Sequence, residues 1–422
     1  MRGVDFAADR RQFLAALGAI AAMPSTAFAR GAEGHKAIRA IVERYVAEGK
    51  VANMVVAVGG REGALDFVSA GKLALSAGTA AGPDSLYRIY SMTKPITGCA
   101  IMMLVEEGKL GLDTPLSAIF PTYARLAVLT DPENSLETRP ATKPLLIRHL
   151  LTHSAGLAYG STAPAPLARL YDEKIATGQS SAAVLSAANK PADLIAFAEA
   201  AAALPLLFEP GSKWTYSIGL DVAAAVVEKV SGVPFDRFLE ERLFVPLGMA
   251  DTGFTVPAGK LDRFTTNYQR TLTGLEMIDD AQDSRFAQVP AIPSGGGGLV
   301  SSTRDYARFM AMLLGEGQLG RTRILKRETA RLMMSNLLEP GVIAPTGFGD
   351  SGYGAGGRTV IAPTPMGEGV GTFGWSGAAN SVAYVDRARG TYIVAMTQVM
   401  RWWPNPVYEE LGRARYAELG AV

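Results

Sequence analysis

Cysteine and histidine are scarce in this sequence, and their scarcity removes several kinds of site. Cys99 is the single cysteine among 422 residues, so the chain can form no internal disulfide and no cysteine-rich metal cluster. The three histidines, His35, His149 and His153, are too few and too scattered to predict a zinc cage. We therefore expect neither a metal nor a cofactor.

An excess of charge of either sign is also missing. The chain carries 41 basic and 40 acidic residues, a net charge of +1, and no basic stripe. This balance gives no electrostatic footprint for nucleic acid, so we expect a small-molecule partner. Hydrophobic residues make up 48% and charged residues 19%, proportions typical of a globular protein with a large core. The composition makes no prediction of the oligomeric state.

Apolar runs of membrane-spanning length are absent after the first thirty residues. Within residues 1–29, Arg10-Arg11 precedes an apolar run through Met23, and Ala27–Ala29 has the small-x-small form of a cleavage site. The run is shorter than the roughly 20 residues that span a bilayer. The paired arginines resemble a twin-arginine export signal, with an amphipathic helix or uncleaved anchor as the alternative. We expect a periplasmic or secreted protein that is not inserted in the membrane after cleavage.

Strand patterns lie near both ends of the chain, and helical patterns fill its middle. The predicted strands are 53–59, 65–69, 373–375, 381–386 and 391–397, and the predicted helices include 35–50, 220–230, 234–243, 303–314, 326–335 and 403–419. This order predicts an α+β fold whose antiparallel sheet is built from both termini. We expect a sheet domain from 30–95 plus 300–422 and a mainly helical domain at 96–299, with the site at their interface. Long loops are predicted at 160–167 and 338–369.

The segment Ser91-Met92-Thr93-Lys94 is the first candidate site. If a helix begins at Ser91, its hydroxyl and the Lys94 amine lie on one face, about one turn apart. Pro95 favours this placement because proline is tolerated near a helix start. A lysine removed from water is one established activator of a serine nucleophile. The free N–H groups of a helix N-terminus also favour developing negative charge.

A second Ser-x-x-Lys stretch, Ser69 to Lys72, shows how little this spacing proves alone. Ser69 ends a predicted strand, in which positions three apart point to opposite faces of the sheet. Its hydroxyl is therefore not expected to meet the Lys72 amine. Ser91 is the stronger candidate.

Two later segments supply possible partners. Tyr216, in the loop before a predicted helix, would act as base and later as acid if its oxygen lies near Lys94, although a half-buried core tyrosine is the alternative. Farther along, Trp375-Ser376-Gly377-Ala378 starts near a predicted strand, where Gly377 would let an extended substrate approach the backbone. The N–H groups of Ser91 and Ala378 would together form an oxyanion hole.

Taken in order, these three elements resemble the serine β-lactamase and penicillin-binding-protein superfamily. The chain is most similar to family VIII carboxylesterases and their class C β-lactamase relatives. Supporting stretches share the resemblance, and they are His149–Leu157, Val230–Gly232, Pro246–Met249 and Gly295–Leu299. The resemblance implies a β-lactamase/transpeptidase-like fold and acyl transfer through Ser91, with Lys94 and Tyr216 assisting.

Departures from the β-lactamase pattern concern the substrate. Trp375 stands where β-lactamases have a lysine that holds the drug carboxylate, and Ile218 stands where they have an asparagine that contacts the acylamino group. Loss of a cation and an amide weakens binding of anionic amides more than that of neutral esters. We therefore assign Trp375, Gly377 and Ile218 to substrate binding and expect an ester. Asp221 is a hypothetical support for Tyr216 or Lys94, with a helix-start carboxylate as the alternative.

Other readings of the sequence remain weaker. An α/β-hydrolase requires Gly-x-Ser-x-Gly and a late histidine, but no serine has both glycines and no histidine follows His153. His149 and His153 have the four-residue spacing of zinc ligands, but no glutamate lies between them. Gly349–Gly352 resembles a protease nucleophile segment, yet it lies in a glycine-rich loop. The alternatives left open are an amidase or β-lactamase of the same fold and a non-catalytic binding protein.

The two Ser-x-x-Lys segments give a matched test. Ser91→Ala should abolish hydrolysis of p-nitrophenyl butyrate, because it removes the nucleophile. Ser69→Ala should leave the rate nearly unchanged. Initial rates of the two purified variants check this prediction, and a large loss in the Ser69 variant with activity retained in the Ser91 variant would reverse the assignment.

Overall fold

Strands from both ends of the chain meet in one eight-stranded sheet of the computed structural model. In chain order the strands are β1 (Asn53–Gly60), β2 (Asp66–Gly71), β3 (Leu86–Arg88), β4 (Ala127–Leu129), β5 (Thr138–Pro140), β6 (Asn267–Arg270), β7 (Leu275–Asp279), β8 (Val300–Ser302), β9 (Gln318–Leu319), β10 (Thr322–Arg323), β11 (Ala344–Pro345), β12 (Asp350–Tyr353), β13 (Arg358–Thr359), β14 (Phe373–Ser376), β15 (Val382–Asp386), β16 (Thr391–Met396) and β17 (Val399–Met400). The order across the large sheet is β11-β12-β13-β14-β15-β16-β1-β2. Every neighbouring pair is antiparallel, so the predicted α+β class and the sheet from both termini are confirmed.

Strand β1 lies between β16 and β2 and is enclosed on both faces. Val55 pairs with Met396 on one side and with Ser69 on the other. Val55, Val56 and Ala57 are all fully buried, so both faces of the strand are covered, as expected for a run of apolar residues rather than an alternating pattern. Burying each valine contributes about 1.5–3 kcal/mol. The pairing of residues 55–60 with 391–396 therefore joins an early segment of the chain firmly to a late one.

Helices cover the sheet and form the region between its two halves. They are α1 (Lys36–Ala47), α2 (Thr93–Glu106), α3 (Ile147–Leu151), α4 (Ala165–Lys174), α5 (Leu194–Ala201), α6 (Gly219–Ser231), α7 (Phe235–Leu239), α8 (Val245–Leu247), α9 (Thr303–Leu314), α10 (Arg327–Met333) and α11 (Pro406–Glu418). Helix α9 packs on β1, β15 and β16. Ser302, the residue before the helix, is its N-cap, because the Ser302 side chain accepts a hydrogen bond from the Asp305 N–H.

Helix α6 is the centre of the helical region. Its middle is the small-residue run Ala223-Ala224-Ala225, which lets α2, α3 and α5 pack closely around it. The helix ends at Gly232, whose φ of +72° is the left-handed conformation that glycine adopts without strain. Because Tyr216 lies three residues before α6, this packing brings the loop that carries it next to the start of α2.

One hydrophobic core is continuous from the sheet into the helical region. Val55 and Val394 of the sheet belong to the same buried cluster as Leu150 and Val226 of the helices. Residues Ala37–Val422 form one compact unit. The proposed division into a sheet domain and a helical domain stays a prediction.

The predicted loop at 338–369 was wrong in part. Strands β11, β12 and β13 lie within it and extend the large sheet beyond β14. These strands are only two to four residues long, and β11 contains a proline and β12 a glycine, so the sequence shows no alternating pattern that would reveal them. Helix α4 likewise begins inside the predicted loop at 160–167.

The structure describes residues 34–61, 65–175, 191–346, 350–400 and 406–420. The predicted export signal at 1–29 lies outside the described residues and stays a prediction. Within the described ranges, no helix has both the length and the apolar character needed to cross a membrane.

Asp251 ties the loop that follows α8 to the turn at Ala258–Arg263. Its carboxylate accepts hydrogen bonds from Lys260 Nζ at 2.7 Å and from the Arg263 guanidinium at 2.7 and 2.8 Å. The hydrogen bond from Arg263 and the charge of Lys260 lower the pKa of Asp251 to about 2, against the opposing effect of burial. Two residues later Gly253 bridges to Val300 of β8, which pairs with β3 just before Ser91.

Asp251 should therefore make folding stability depend on pH in acid. Because its pKa is lower in the folded chain than in the unfolded chain, its contribution is complete above about pH 4 and is lost as the pH falls toward 2. Asp251→Asn should lower the free energy of unfolding at pH 7 and flatten its fall between pH 4 and 2. Urea denaturation across this range measures both effects. The exposed neighbour Asp262, changed to Asn, is the control, and equal slopes in wild type and Asp251→Asn would contradict the assignment.

Candidate active site

Ser91 and Lys94 meet at the start of helix α2. A single 3-10 turn, Tyr90–Met92, leads directly into the helix at Thr93. Lys94 Nζ donates a hydrogen bond to Ser91 Oγ at 3.1 Å. The Lys94 side chain is fully buried and Ser91 is 5% exposed, so the pair is shielded from bulk water while the hydroxyl stays accessible. The contact expected from the one-turn spacing is present, and the catalytic roles stay a prediction.

Tyr90 has a strained backbone immediately before Ser91. Its φ is +44°, a value that costs a non-glycine residue of order 1–3 kcal/mol. The Tyr90 hydroxyl accepts a hydrogen bond from Asn267 Nδ2 at 2.9 Å, and its ring packs edge-on against Phe286. These contacts hold the strained conformation, which turns the chain from β3 into α2 and sets the direction of Ser91.

The glycine run at 295–298 supplies a second partner for Lys94. Lys94 Nζ donates to the Gly296 carbonyl at 2.6 Å, and Thr97 Oγ1 donates to the Gly295 carbonyl at 2.7 Å. A methyl group on Gly296 would overlap Asp221 Oδ2 and the Tyr159 hydroxyl, so only glycine fits without movement. The glycine run therefore positions a main-chain acceptor for the lysine.

Asp221 supports this acceptor from behind. Its Oδ1 accepts hydrogen bonds from the Gly296 N–H at 3.0 Å and from the Ser294 hydroxyl, and its Oδ2 accepts one from Tyr159 at 3.1 Å. Burial and the Asp221 charge hold the pKa of Tyr159 well above its ordinary value, so Tyr159 is a neutral donor. Asp221 reaches Lys94 through the Gly296 peptide, an arrangement compatible with the hypothesis that it supports the lysine, and its role stays a prediction.

Tyr216 lies beside Lys94, with its ring rather than its oxygen toward the amine. Lys94 Nζ is 4.4 Å from the ring centroid, a cation–π distance. The Tyr216 hydroxyl accepts a hydrogen bond from Trp375 Nε1 at 3.2 Å, and the two rings stack with centroids 5.7 Å apart. Among the described residues, no hydrogen bond joins the Tyr216 hydroxyl to Ser91 or Lys94. The three side chains share one site, and the orientation of the phenol differs from the expected one.

The end of β14 passes close to the Ser91 turn. A methyl group on Gly377 would overlap Ser381 Oγ and the Ile89 carbonyl, so glycine is required there by the protein's own packing rather than by a substrate. The next residue, Ala378, is exposed. Within the described residues, neither the Ser91 nor the Ala378 N–H donates to a protein acceptor. The oxyanion hole expected from these two N–H groups stays a prediction.

Ile218 does not fit the substrate-binding role predicted for it. Its side chain is fully buried in the main hydrophobic core, and its N–H donates to the Ala158 carbonyl. As the residue before α6, it points into the helical region because an apolar side chain gains by burial there. Trp375 is also largely buried, at 7% exposure, but unlike Ile218 it donates a hydrogen bond to the Tyr216 hydroxyl.

An aromatic cluster around Tyr216 was missed by sequence reasoning. His153, Trp214 and Tyr353 lie against Tyr216 or Trp375, with ring centroids 4.5–6.3 Å apart. Burial raises the pKa of Tyr353 well above its ordinary value, so that it also stays neutral. A sequence signal for this cluster was His153 in the stretch 149–157, where the four-residue spacing from His149 drew attention to a zinc site instead. Among the described residues, no group of histidine, cysteine, aspartate and glutamate side chains could hold a metal ion.

Comparisons with known proteins show which proteins this chain is similar to. A family model described as Beta-lactamase matches residues 38–417. Protein Rv1367c of Mycobacterium tuberculosis (strain ATCC 25618 / H37Rv) is 35% identical over 78% of this chain and 81% of its own length. Esterase EstB of Burkholderia gladioli is 32% identical over 81% of this chain and 85% of its own length. The solved structure of EstCE1, described as a hydrolase with promiscuous acyltransferase activity, has a TM-score of 0.75 and 27% identity, covering 90% of this chain and 98% of its own.

The tight space at Gly296 gives a prediction for this site. Gly296→Ala should push the 295–297 segment away from Asp221 and misplace the carbonyl that binds Lys94, lowering kcat for ester hydrolysis at least about tenfold. Gly259→Ala is the matched control, because a methyl group there meets nothing within 4 Å. Steady-state kinetics and thermal unfolding of both variants separate a local effect from loss of fold. An unchanged kcat in folded Gly296→Ala would show that this carbonyl is dispensable.

Proposed function

This chain belongs to the beta-lactamase family, close to the family VIII esterases, and we propose that it is a serine carboxylesterase that hydrolyses short-chain esters through an acyl-Ser91 intermediate. The esterase relatives support serine hydrolase activity on esters. The observation that carries the proposal is the buried hydrogen bond from Lys94 Nζ to Ser91 Oγ. A serine hydroxyl is a weak nucleophile unless a base lies within hydrogen-bonding reach.

In the proposed acylation step, Ser91 Oγ attacks the ester carbonyl carbon as its proton passes to the Lys94–Tyr216 pair. The carbonyl oxygen becomes an oxyanion that receives the N–H groups of Ser91 and Ala378. Collapse of the intermediate breaks the bond to the alcohol oxygen, which takes a proton from Tyr216. Gly296 holds Lys94 throughout, since its carbonyl accepts the second hydrogen bond of the amine.

Deacylation repeats these events with water in place of the alcohol. The Lys94–Tyr216 pair removes a proton from the water, the oxyanion forms again, and Ser91 leaves with a proton returned by the pair. Trp375 assists because its indole N–H stabilises negative charge on the Tyr216 oxygen. Direct proton transfer requires the Tyr216 hydroxyl to leave its contact with Trp375 and to move within hydrogen-bonding reach of Ser91 or Lys94.

Esters are favoured over β-lactams by the chemistry at position 375. Trp375 is neutral and its indole N–H is already engaged with Tyr216, so it offers no cation to a drug carboxylate. A neutral ester needs no such cation. Esterase EstB is an esterase by name, and its similarity over 81% of this chain supports the same substrate class.

Transfer of the acyl group to an alcohol is a second candidate activity. The partly buried rings of Trp214 and Tyr216 lie against each other, and Tyr216 contacts Lys94. On this apolar surface an alcohol would compete with water for the acyl-enzyme. The alcohol oxygen would form the new ester bond, lose its proton to the Lys94–Tyr216 pair and release Ser91. EstCE1 is described as having promiscuous acyltransferase activity, which supports this extension.

Substrate choice and the assisting residues are tested together. Wild-type protein should hydrolyse p-nitrophenyl butyrate with a kcat/KM at least about a hundredfold above its value for nitrocefin, a difference of a few kcal/mol in transition-state binding. Lys94→Ala and Tyr216→Phe should each lower kcat for the ester at least about a hundredfold, because each removes a proton-transfer group. Steady-state kinetics measure all three.

Three outcomes would contradict the proposal. Preferential turnover of nitrocefin would favour a β-lactamase, and a near wild-type rate in Tyr216→Phe would refute the role of the phenol. If the protein turns over neither compound and Ser91 is not labelled by a fluorophosphonate, a non-catalytic binding protein is the better assignment. Intact mass spectrometry of wild type and Ser91→Ala locates the label.

A further inference from the structure

His153 holds the main chain on both sides of Tyr216. Its carbonyl oxygen accepts a hydrogen bond from the Thr215 N–H at 2.9 Å. Its imidazole Nδ1 accepts one from the Ser217 N–H at 3.1 Å and lies 3.1 Å from the Ser217 hydroxyl. One residue, 64 positions away from Ser217 in the chain, therefore fixes the peptide groups before and after the phenol.

The imidazole also packs against the Tyr216 ring itself. The two ring centroids are 4.5 Å apart, and on its other sides the imidazole contacts Trp214 and Tyr353. His153 is fully buried, so these contacts are not loosened by solvent. Its backbone φ is +58°, a left-handed conformation that is uncommon for a residue with a side chain. The contacts to Thr215 and Ser217 hold this conformation in place.

The imidazole is neutral. Burial and the nearby Lys94 charge hold the pKa of His153 well below its ordinary value. Because Nδ1 accepts the Ser217 N–H, the ring proton is on Nε2. The titratable groups that face the ring are Lys94, Tyr216 and Tyr353. His153 therefore holds the Tyr216 loop without adding a second positive charge beside Lys94.

We propose that His153 is a positioning residue for Tyr216. By holding the main chain, His153 restricts the phenol to motion of the Tyr216 side chain between the Trp375 indole and the Ser91 hydroxyl. This inference rests on the proposed function, since it assigns His153 an effect that acts through Tyr216. A shift of about 1 Å in a catalytic group costs up to about a hundredfold in rate. Because His153 holds the N–H groups of Thr215 and Ser217, the main chain that carries Tyr216 cannot shift easily.

Two substitutions separate the parts of this role. His153→Ala removes the ring and the acceptor, and it should lower kcat about a hundredfold with little change in KM. His153→Asn keeps an acceptor at the position of Nδ1 and tolerates the left-handed backbone. It should recover the rate to within about tenfold of wild type, because the Ser217 contact is restored.

His149 provides a matched control in the same segment. It too is a buried histidine whose Nδ1 accepts a backbone N–H, in this case that of Leu146 at 3.1 Å, but it does not contact Tyr216. His149→Ala should lower thermal stability by a similar amount and leave kcat per folded enzyme within about threefold of wild type. If His149→Ala lowers kcat as much as His153→Ala does, then any disturbance of this segment is enough to slow catalysis, and the proposal is overturned.

A double-mutant cycle with Tyr216→Phe supplies the decisive comparison. If His153 acts through the phenol, His153→Ala should cost less than about threefold in the Tyr216→Phe background, far from the sum of the two single effects. Additive losses, or no loss in His153→Ala alone, would overturn the proposal. A wild-type rate in Tyr216→Phe itself would instead refute the catalytic role of the phenol, so the two failures are distinguishable.

Discussion

The amine of Lys94, held between the Ser91 hydroxyl and the Gly296 carbonyl, is the interaction on which the site depends. A fully buried lysine is costly unless its nitrogen has hydrogen-bond partners. The fold provides one from its own helix turn and one from a segment about two hundred residues away. Asp221 and the absence of a side chain at Gly296 keep the second partner in place.

The same constraint explains why distant segments converge. Helix α2 carries Ser91 and Lys94, the loop before α6 carries Tyr216, and the end of β14 carries Trp375. Close packing of α2 against α6 and of Gly377 against Ile89 brings these segments to one place. Trp375 then contacts the phenol and donates a hydrogen bond to its oxygen.

Local geometry made part of this site predictable. The spacing of Ser91 and Lys94 predicted their contact because one helical turn fixes it, and the apolar strand segments predicted the sheet because both faces of β1 are buried. The direction of the Tyr216 hydroxyl was not predictable, since it depends on Trp375, which is 159 residues away. Ile218 was assigned to the substrate by alignment with an asparagine, whereas burial turned it into the core. His153 was missed because its decisive contacts are long-range.

A structure of the protein inactivated by a p-nitrophenyl phosphonate would test the central claim most directly. The account predicts a covalent bond from Ser91 Oγ to phosphorus, with the phosphonyl oxygen within hydrogen-bonding distance of the Ser91 and Ala378 N–H groups. It also predicts that the Tyr216 hydroxyl has rotated from Trp375 to within about 3.2 Å of the Ser91 oxygen or the Lys94 amine. Phosphorus on another residue, or a Tyr216 hydroxyl still out of hydrogen-bonding reach of both, with no bridging water, would contradict it.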